Sequence, residues 1–407
     1  MKAVELYAGA GGLAMGVGLA GFKPLAVVEW DRWACDTIRE NQRRGFPLVT
    51  DWPLHEGDVR AFDWVRLENE EVDLLAGGPP CQPFSMGGKH RAYDDTRDMF
   101  PATVDIVRRL QPKAFILENV KGLTRSTFAN YYQYILLQLE FPEVPLRRNE
   151  EWFDHMLRLQ AERTSGRQKG RQLTYNVVPT LVNAANYGVP QKRERVFIVG
   201  FRTDLNVKWS FPRPTHSYDQ LLHDQWVTGT YWERHEVARR HRPTMPSNVE
   251  KRVNKLASLL PLSDDLAWRT VRDAISGLPS PLSRGASHYD DHKFQPGARI
   301  YPGHTGSPLD LPAKTLKAGD HGVPGGENML VNTDGSVRYF SIRESARIQT
   351  FPDGFKFHGS WTETMRQLGN AVPVVLGHVV ARSVAEKLAT IQLEKIAHQR
   401  NVARGAA

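Results

Sequence analysis

Apolar positions over the first half of the chain fall into short runs separated by amphipathic stretches. Ala3-Val4-Glu5-Leu6-Tyr7 reads as a strand, Ala8-Gly9-Ala10-Gly11-Gly12 as a glycine-rich turn, and Leu13 to Gly21 as a helix. A second run, Pro24-Leu25-Ala26-Val27-Val28, ends in Glu29-Trp30-Asp31 and leads into a helical stretch from Trp33 to Arg43. Further runs at Val72 to Ala76, Ala114 to Leu117 and Val196 to Gly200 alternate with helix-like segments. Strands alternating with helices predict an α/β fold whose mostly parallel sheet is doubly wound, with ligands at the carboxyl ends of the strands.

The rhythm then changes. The polar stretch from about 141 to 172 holds Arg147, Arg148, Arg158, Arg163, Arg167, Lys169 and Arg171 against Glu143, Glu150, Glu151, Asp154 and Glu162, and reads as a surface insertion. After Phe201, proline, glycine and basic residues become frequent, which predicts a smaller second domain. Near its end Asp334-Gly335 lies between two short apolar runs, the signature of a two-residue hairpin turn. From Ser341 the pattern is helical again, Gly369 to Pro373 interrupts it, and an amphipathic helix is expected from Val374 to about Ala397. The resulting division is a first domain over 1–201, a second domain over 202–335 and a C-terminal segment, 336–407, that returns to the first.

Length and composition bound the class. With 407 residues, 41% hydrophobic and 24% charged, the chain has ordinary globular usage, against a disordered, collagenous or disulfide-built protein. No apolar run approaches the roughly 18 residues of a membrane span and no leader pattern opens the chain, so a cytoplasmic protein is expected. The net charge of +8 favours a polyanionic partner. Only Cys35 and Cys81 occur, without zinc-ligand spacing, so no metal is expected.

Three segments carry candidate chemistry. Gly9-x-Gly11-x-x-Ala14 after a strand satisfies a dinucleotide fingerprint, with Glu29 suited to a ribose hydroxyl; the pattern does not distinguish NAD from S-adenosylmethionine. Tyr7 and Trp30 stand where they could face an adenine, and Asp58, beside Val59, could accept from its amino group. The run Leu74-Leu75-Ala76-Gly77-Gly78-Pro79-Pro80-Cys81-Gln82 puts a cysteine just past a buried strand on stiff proline backbone. A thiol there needs only a modest shift from a pKa near 8.5 to become a soft, strong nucleophile. Cys35, inside a helical pattern, reads as structural.

With these residues in view, the chain resembles the bacterial-type DNA cytosine-5 methyltransferases from end to end. Pro80-Cys81-Gln82 is similar to the family's cysteine loop, Glu118-Asn119-Val120 to its Glu-Asn-Val tripeptide, and Gln191-Lys192-Arg193-Glu194-Arg195 to its Gln-x-Arg-x-Arg element. Arg343 to Arg347, with Phe351-Pro352-Asp353, and Gln367 to Pro373 follow in the family's order. The departures are Glu5 and Tyr7, where the family usually shows Asp and Phe, and Ala371 for a common Ser.

The resemblance implies a Rossmann-like S-adenosylmethionine-dependent fold with a smaller target-recognition domain. It makes Cys81 the nucleophile that adds to position 6 of cytosine, Glu118 the acid at N3, Arg195 the partner of O2, and Arg193 a support for the catalytic loop or a phosphate. It builds the cofactor pocket from Tyr7, Gly9, Gly11, Gly12, Glu29, Trp30, Asp58, Val59, Pro79, Asn370, Ala371 and Val372. Double-stranded DNA is the implied partner, with the base flipped out and the Gly87-Gly88 loop, carrying Lys89 and Arg91, closing over it. The implied setting is a restriction-modification system with a cognate restriction endonuclease or an orphan methylase, and no protein partner is required for catalysis. Thr270 to Pro279 and Thr315-Leu316 resemble recurring segments of the target-recognition region, where Arg239, Arg240, Lys314, Lys317, His321 and Arg338 are candidate contacts. The rival readings are an RNA (tRNA) cytosine-5 methyltransferase on the same motifs and an NAD-dependent oxidoreductase, which leaves Cys81, Glu118 and the arginine pair without a joint task.

Overall fold

The structure is a computed structural model that describes residues 1–80, 98–164, 173–258, 264–302, 305–318 and 326–405, with side chains as far as 394. Strands β1 (Lys2–Leu6), β2 (Lys23–Glu29), β3 (Leu54–Glu56), β4 (Leu74–Gly77), β5 (Ala114–Val120), β6 (Tyr175–Asn183) and β7 (Glu194–Arg202) form one seven-stranded sheet in the order β3-β2-β1-β4-β5-β7-β6. β1 to β5 pair in parallel, whereas β7 runs antiparallel to both β5 and β6. The expected mostly parallel sheet is therefore present, and the run at 196–200 is its reversed member.

Strand alternation sorts the core onto two faces. Val4, Leu6, Leu75, Phe115, Leu117, Val196 and Ile198 join one cluster with α3 (Phe100–Leu110), α4 (Ala129–Glu140) and α5 (Trp152–Thr164). Ala3, Leu74, Ala76, Ala114, Ile116, Phe197 and Val199 join the other with α1 (Gly12–Leu19) and α12 (Val374–Gly405). Helix α2 (Arg32–Arg43) is started by Asp31, whose carboxylate accepts from Ala34 N–H at 2.9 Å. It packs beside α10 (Ile342–Ile348) and α11 (Trp361–Asn370) in a third cluster. The apolar stretch 361–394, long enough to resemble a membrane span, is mostly buried in the second and third clusters.

The polar stretch after 141 differs from expectation. Its helix α5 turns His155, Met156 and Leu159 inward, and the His155 ring bridges Tyr134 Oη and the Val144 carbonyl at 2.8 Å each. The charges lie on the outer face, where Arg158 grips Glu150 at 2.6 and 2.9 Å. A stretch rich in charge but carrying two apolar positions and a hydrogen-bonded histidine at helical spacing closes part of the core.

After β7 come β8 (His216–Ser217), α6 (Tyr218–Leu222), α7 (Thr230–Arg234), α8 (Ser247–Ala257), β9 (Leu266–Ala267), α9 (Val271–Ile275), β10 (Ser307–Pro308), β11 (Met329–Val331) and β12 (Val337–Tyr339). β8 pairs with β9, and β10, β11 and β12 form a three-stranded sheet. The hairpin between β11 and β12 has three loop residues, not two: Asn332 N–H bonds Ser336 O at 2.8 Å and Gly335 N–H returns to Asn332 O at 3.0 Å. Gly335 takes φ 83°, the left-handed position of a bulged three-residue loop.

Candidate active site

The glycine turn after β1 is shaped by what touches it. Gly9 and Gly11 have φ 55° and 89°, which side-chain-bearing residues rarely adopt. A side chain on Gly11 would meet the Trp52 ring at 2.8 Å and one on Gly12 would meet Val372 O at 2.2 Å, so the turn is pressed against the interruption before α12. Above Gly9 the space is open.

Glu29, buried at the end of β2, closes this turn. Its Oε2 accepts from Gly9 N–H at 2.6 Å, and its Oε1 from Trp30 and Asp31 N–H at 2.9 and 2.7 Å. Burial pushes the carboxyl up against the downward pull of these amides. Oε1 is saturated by two amides, whereas Oε2 keeps one lone pair for a ligand hydroxyl. Trp30 beside it is 75% exposed, a free aromatic face and not a core residue. Tyr7 is half-buried at φ 54°, and its hydroxyl is engaged by Thr103 Oγ1 at 3.0 Å and Met99 O at 3.3 Å. Asp58 is gripped by the Arg60 guanidinium, Nε to Oδ1 3.0 Å, which holds it below the usual carboxylate range. Val59 is buried and gives its carbonyl to Trp64 Nε1 at 2.8 Å. Asn370 ends α11 with an exposed side chain, while Ala371 and Val372 are buried.

At the next strand ends, Glu118 and Arg195 meet. Glu118 follows Ile116 in β5's alternation, and Arg195 precedes Phe197, the residue paired with Glu118, so both lie on one face. Arg195 Nε is 2.9 Å from Glu118 Oε1, with both side chains nearly enclosed, yet Oε1 receives no aligned hydrogen bond. Burial raises the Glu118 carboxyl, opposed by Arg195 and then Arg193. Glu118 Oε2 stands over Gly78, where a side-chain carbon would lie 3.4 Å from it. Asn119 Nδ2 bonds the carbonyl of the buried Pro79 at 2.9 Å, fixing the turn beyond β4 to the end of β5.

Cys81 lies outside the described residues, as do Gly87, Gly88, Lys89, Arg91 and His321. The backbone on either side of the cysteine loop is joined, since Met99 N–H bonds Pro80 O at 3.2 Å. Of the two roles expected for Arg193, support of the catalytic loop or of a phosphate, its burial does not suit the second. It is 0% exposed, and its guanidinium donates to Leu316 O at 3.2 Å and Gly369 O at 2.7 Å. Among the second-domain candidates Arg239 and Arg240 are exposed, Lys314 bonds Thr305 Oγ1 at 2.6 Å and Lys317 pairs with Glu327 at 2.8 Å. Arg338 is committed to Glu344 at 2.6 Å through both terminal nitrogens, which removes it as a base reader.

A sequence model of the C-5 cytosine-specific DNA methylases matches residues 1–142 and 167–386. The chain belongs to this family. It is a DNA cytosine-5 methyltransferase, which sets aside the oxidoreductase reading and the RNA-modifying alternative. The methylase match skips 143–166, the stretch that contains α5. Among relatives, the type II methyltransferase M.PspPI of Psychrobacter sp. (strain TA137) is 32% identical over 392 residues, 95% of this chain and 79% of its own length. M.NgoMIV of Neisseria gonorrhoeae is 28% identical over 389 residues, 95% of this methylase and 97% of the relative. The fold is shared with the S. pombe Dnmt2 methyltransferase, at TM-score 0.54 and 17% identity over 96% of this chain and 99% of that one. It is shared too with a prophage-encoded DNA modification methyltransferase from E. coli, at TM-score 0.57 and 20% identity over 95% and 99%.

The methylase site also uses residues that sequence reasoning passed over. Gln349 Nε2 bonds the carbonyl of Leu368 and, at 3.3 Å, that of Ala371, while its Oε1 accepts from Gln191 Nε2 at 3.2 Å. Trp52 backs the glycine turn, and Thr103 holds Tyr7. Gln349 follows the Arg343 to Arg347 motif directly, the one signal that could have drawn attention to it.

Proposed function

We propose that this methylase transfers a methyl group from S-adenosylmethionine to carbon 5 of a cytosine flipped out of double-stranded DNA, with Cys81 as the nucleophile. The observation that carries this reading is the enclosed Glu118–Arg195 pair, set over Gly78 on the turn that runs on to Cys81. The residues at the strand ends fit the cofactor: the opening over Gly9, Glu29 Oε2 with one lone pair remaining, the exposed ring of Trp30 and the exposed amide of Asn370. These would hold it, with Gly11, Gly12, Asp58, Val59, Pro79, Ala371 and Val372 shaping the surrounding wall. When bound, S-adenosylmethionine supplies a methyl group on a sulfonium, an electrophile for a carbon nucleophile.

The chain's own residues make that carbon nucleophilic. The Cys81 thiolate adds to C6, its electron pair forms the carbon–sulfur bond, and the ring's displaced pair moves toward C5 and N3. Glu118 gives N3 a proton and Arg195 holds O2, both in an enclosed place where each interaction counts for more than in water. Once C5 carries the methyl group, its proton passes to solvent, the freed C–H pair re-forms the C5–C6 double bond, the thiolate leaves C6 and N3 returns its proton to Glu118. Arg193 is a positioning residue, since its donors face carbonyls of the protein. Residues 202–335 supply target recognition, and the site acts on cellular DNA in the cytoplasm. By likeness to the type II relatives, a restriction endonuclease of the same specificity is the expected companion.

The test is bisulfite sequencing of DNA from a methylation-deficient bacterial host expressing the wild type or Cys81→Ala. Protected cytosines in one short recurrent sequence, lost with Cys81→Ala, are expected. Protection that persists in Cys81→Ala would overturn the nucleophile, and no protection from soluble wild type would overturn the DNA reading.

A further inference from the structure

The segment 313–318 of the second domain is bonded on one side to the arginine element and on the other to the end of α11. Lys192 N–H donates to Ala313 O at 2.8 Å, Ala313 N–H to Pro190 O at 2.9 Å, and Thr315 Oγ1 to Lys192 O at 2.7 Å. Leu316 presents both its backbone groups to this element: its N–H donates to Gln191 Oε1 and its carbonyl accepts from Arg193 Nη1, at 3.2 Å each. The other arm of the same guanidinium reaches Gly369 O at 2.7 Å, one residue before Asn370. Gly369 has no room for a side chain, because a carbon there would lie 2.3 Å from Ala318 N. Gln191 in turn reaches Gln349, which holds the Leu368 and Ala371 carbonyls.

Arg193 is therefore a shared donor between the segment leading out of the recognition region and the turn that carries Asn370. Its burial excludes substrate, and its Nε carries no hydrogen bond, so its cost of desolvation is met only while both carbonyls are in place. A shift of Leu316 that loosened one arm would leave the charge under-satisfied and bias the other. We propose that Arg193, seconded by Gln349, is a positioning residue that couples DNA binding to cofactor binding, so that each ligand raises the other's affinity through the Leu316–Arg193–Gly369 link. This rests on the cofactor and DNA reading above.

The experiment is calorimetric titration of S-adenosylhomocysteine into the full chain, alone and with a duplex carrying the sequence mapped by bisulfite sequencing. It is run on the wild type, Arg193→Lys and Gln349→Ala, each checked for cooperative melting. For the wild type we expect the duplex to tighten S-adenosylhomocysteine binding by about 5–150-fold, with the same factor gained for DNA when the order is reversed. In Arg193→Lys that factor, taken relative to the variant's own affinity without DNA, falls toward one, and Gln349→Ala shows the same loss if the lysine variant fails to fold. A wild-type factor of one overturns the proposal, as does an unchanged factor in a folded variant. No binding of S-adenosylhomocysteine to the wild type in either condition would instead overturn the cofactor reading itself.

Discussion

Glu118 is held between two opposed influences, enclosure that favours its neutral form and a guanidinium 2.9 Å away that favours its charged one. A carboxyl so balanced can take and give a proton at a base nitrogen. Replacing it by Gln keeps the shape and removes the proton, so Glu118→Gln should lower kcat by at least about 100-fold in a tritiated-methyl assay, with DNA affinity little changed. Arg195→Ala removes the proposed O2 donor and should cost about 100–1,000-fold in kcat. Glu5 has the opposite situation: it is 2% exposed in the middle of β1, with Oε1 unbonded, and burial pushes its carboxyl up to about 8. A raised acid contributes fully below the unfolded pKa of about 4.3 and loses that contribution as pH rises toward the folded value. Glu5→Gln should therefore raise Tm more at pH 8 than at pH 5, by roughly 2 °C or more. Equal shifts at the two pH values would contradict the buried, unpaired state of Glu5.

At the scale of elements, the contact of α1 with α12 sets how closely the C-terminal segment approaches the glycine turn. Gly12 and Gly16 lie one helical turn apart, and a side-chain carbon on Gly16 would sit 2.5 Å from His378 N. Backbone on both sides leaves nothing flexible to move. Gly16→Val should destabilise the protein by about 1–3 kcal/mol in urea unfolding. It should also weaken S-adenosylhomocysteine binding, because α12 begins just after Val372. Helices α1 and α2 and strands β1, β2, β4, β5 and β7 were readable from residues alone. The polar stretch holding α5 falls in the gap of the family match, in keeping with an insertion, but its charge hid three inward positions, His155, Met156 and Leu159. The hairpin was placed correctly, but its loop length depends on whether Asn332 and Ser336 pair, which backbone geometry decides.

For the whole molecule, a basic chain on a polyanion should bind in proportion to the counterions it releases. Binding to duplex DNA should weaken linearly in log salt, and Lys314→Ala should reduce that slope by about 1 without altering the methylated sequence. An unchanged slope would remove Lys314 from the DNA surface. Arg338 would give no such change through phosphate, since Glu344 already takes its charge.

The amino-acid sequence by itself determined the strand and helix rhythm, the glycine turn with its acid at Glu29, the order of the chemical motifs, and hence the family. These follow from local rules: side-chain period, turn preference, and residue type beside a strand end. What only the tertiary structure decided is which motif residues touch. Arg195 reaches Glu118 because β7 runs antiparallel to β5, bringing its first residues to the carboxyl end where the parallel strands finish. Arg193, two residues earlier and of identical chemistry, is instead enclosed between Leu316 and Gly369, partners far away in the chain. Strand direction and the return of α11 against the second domain gave the two arginines different work, and neither is written in the spacing of the motif.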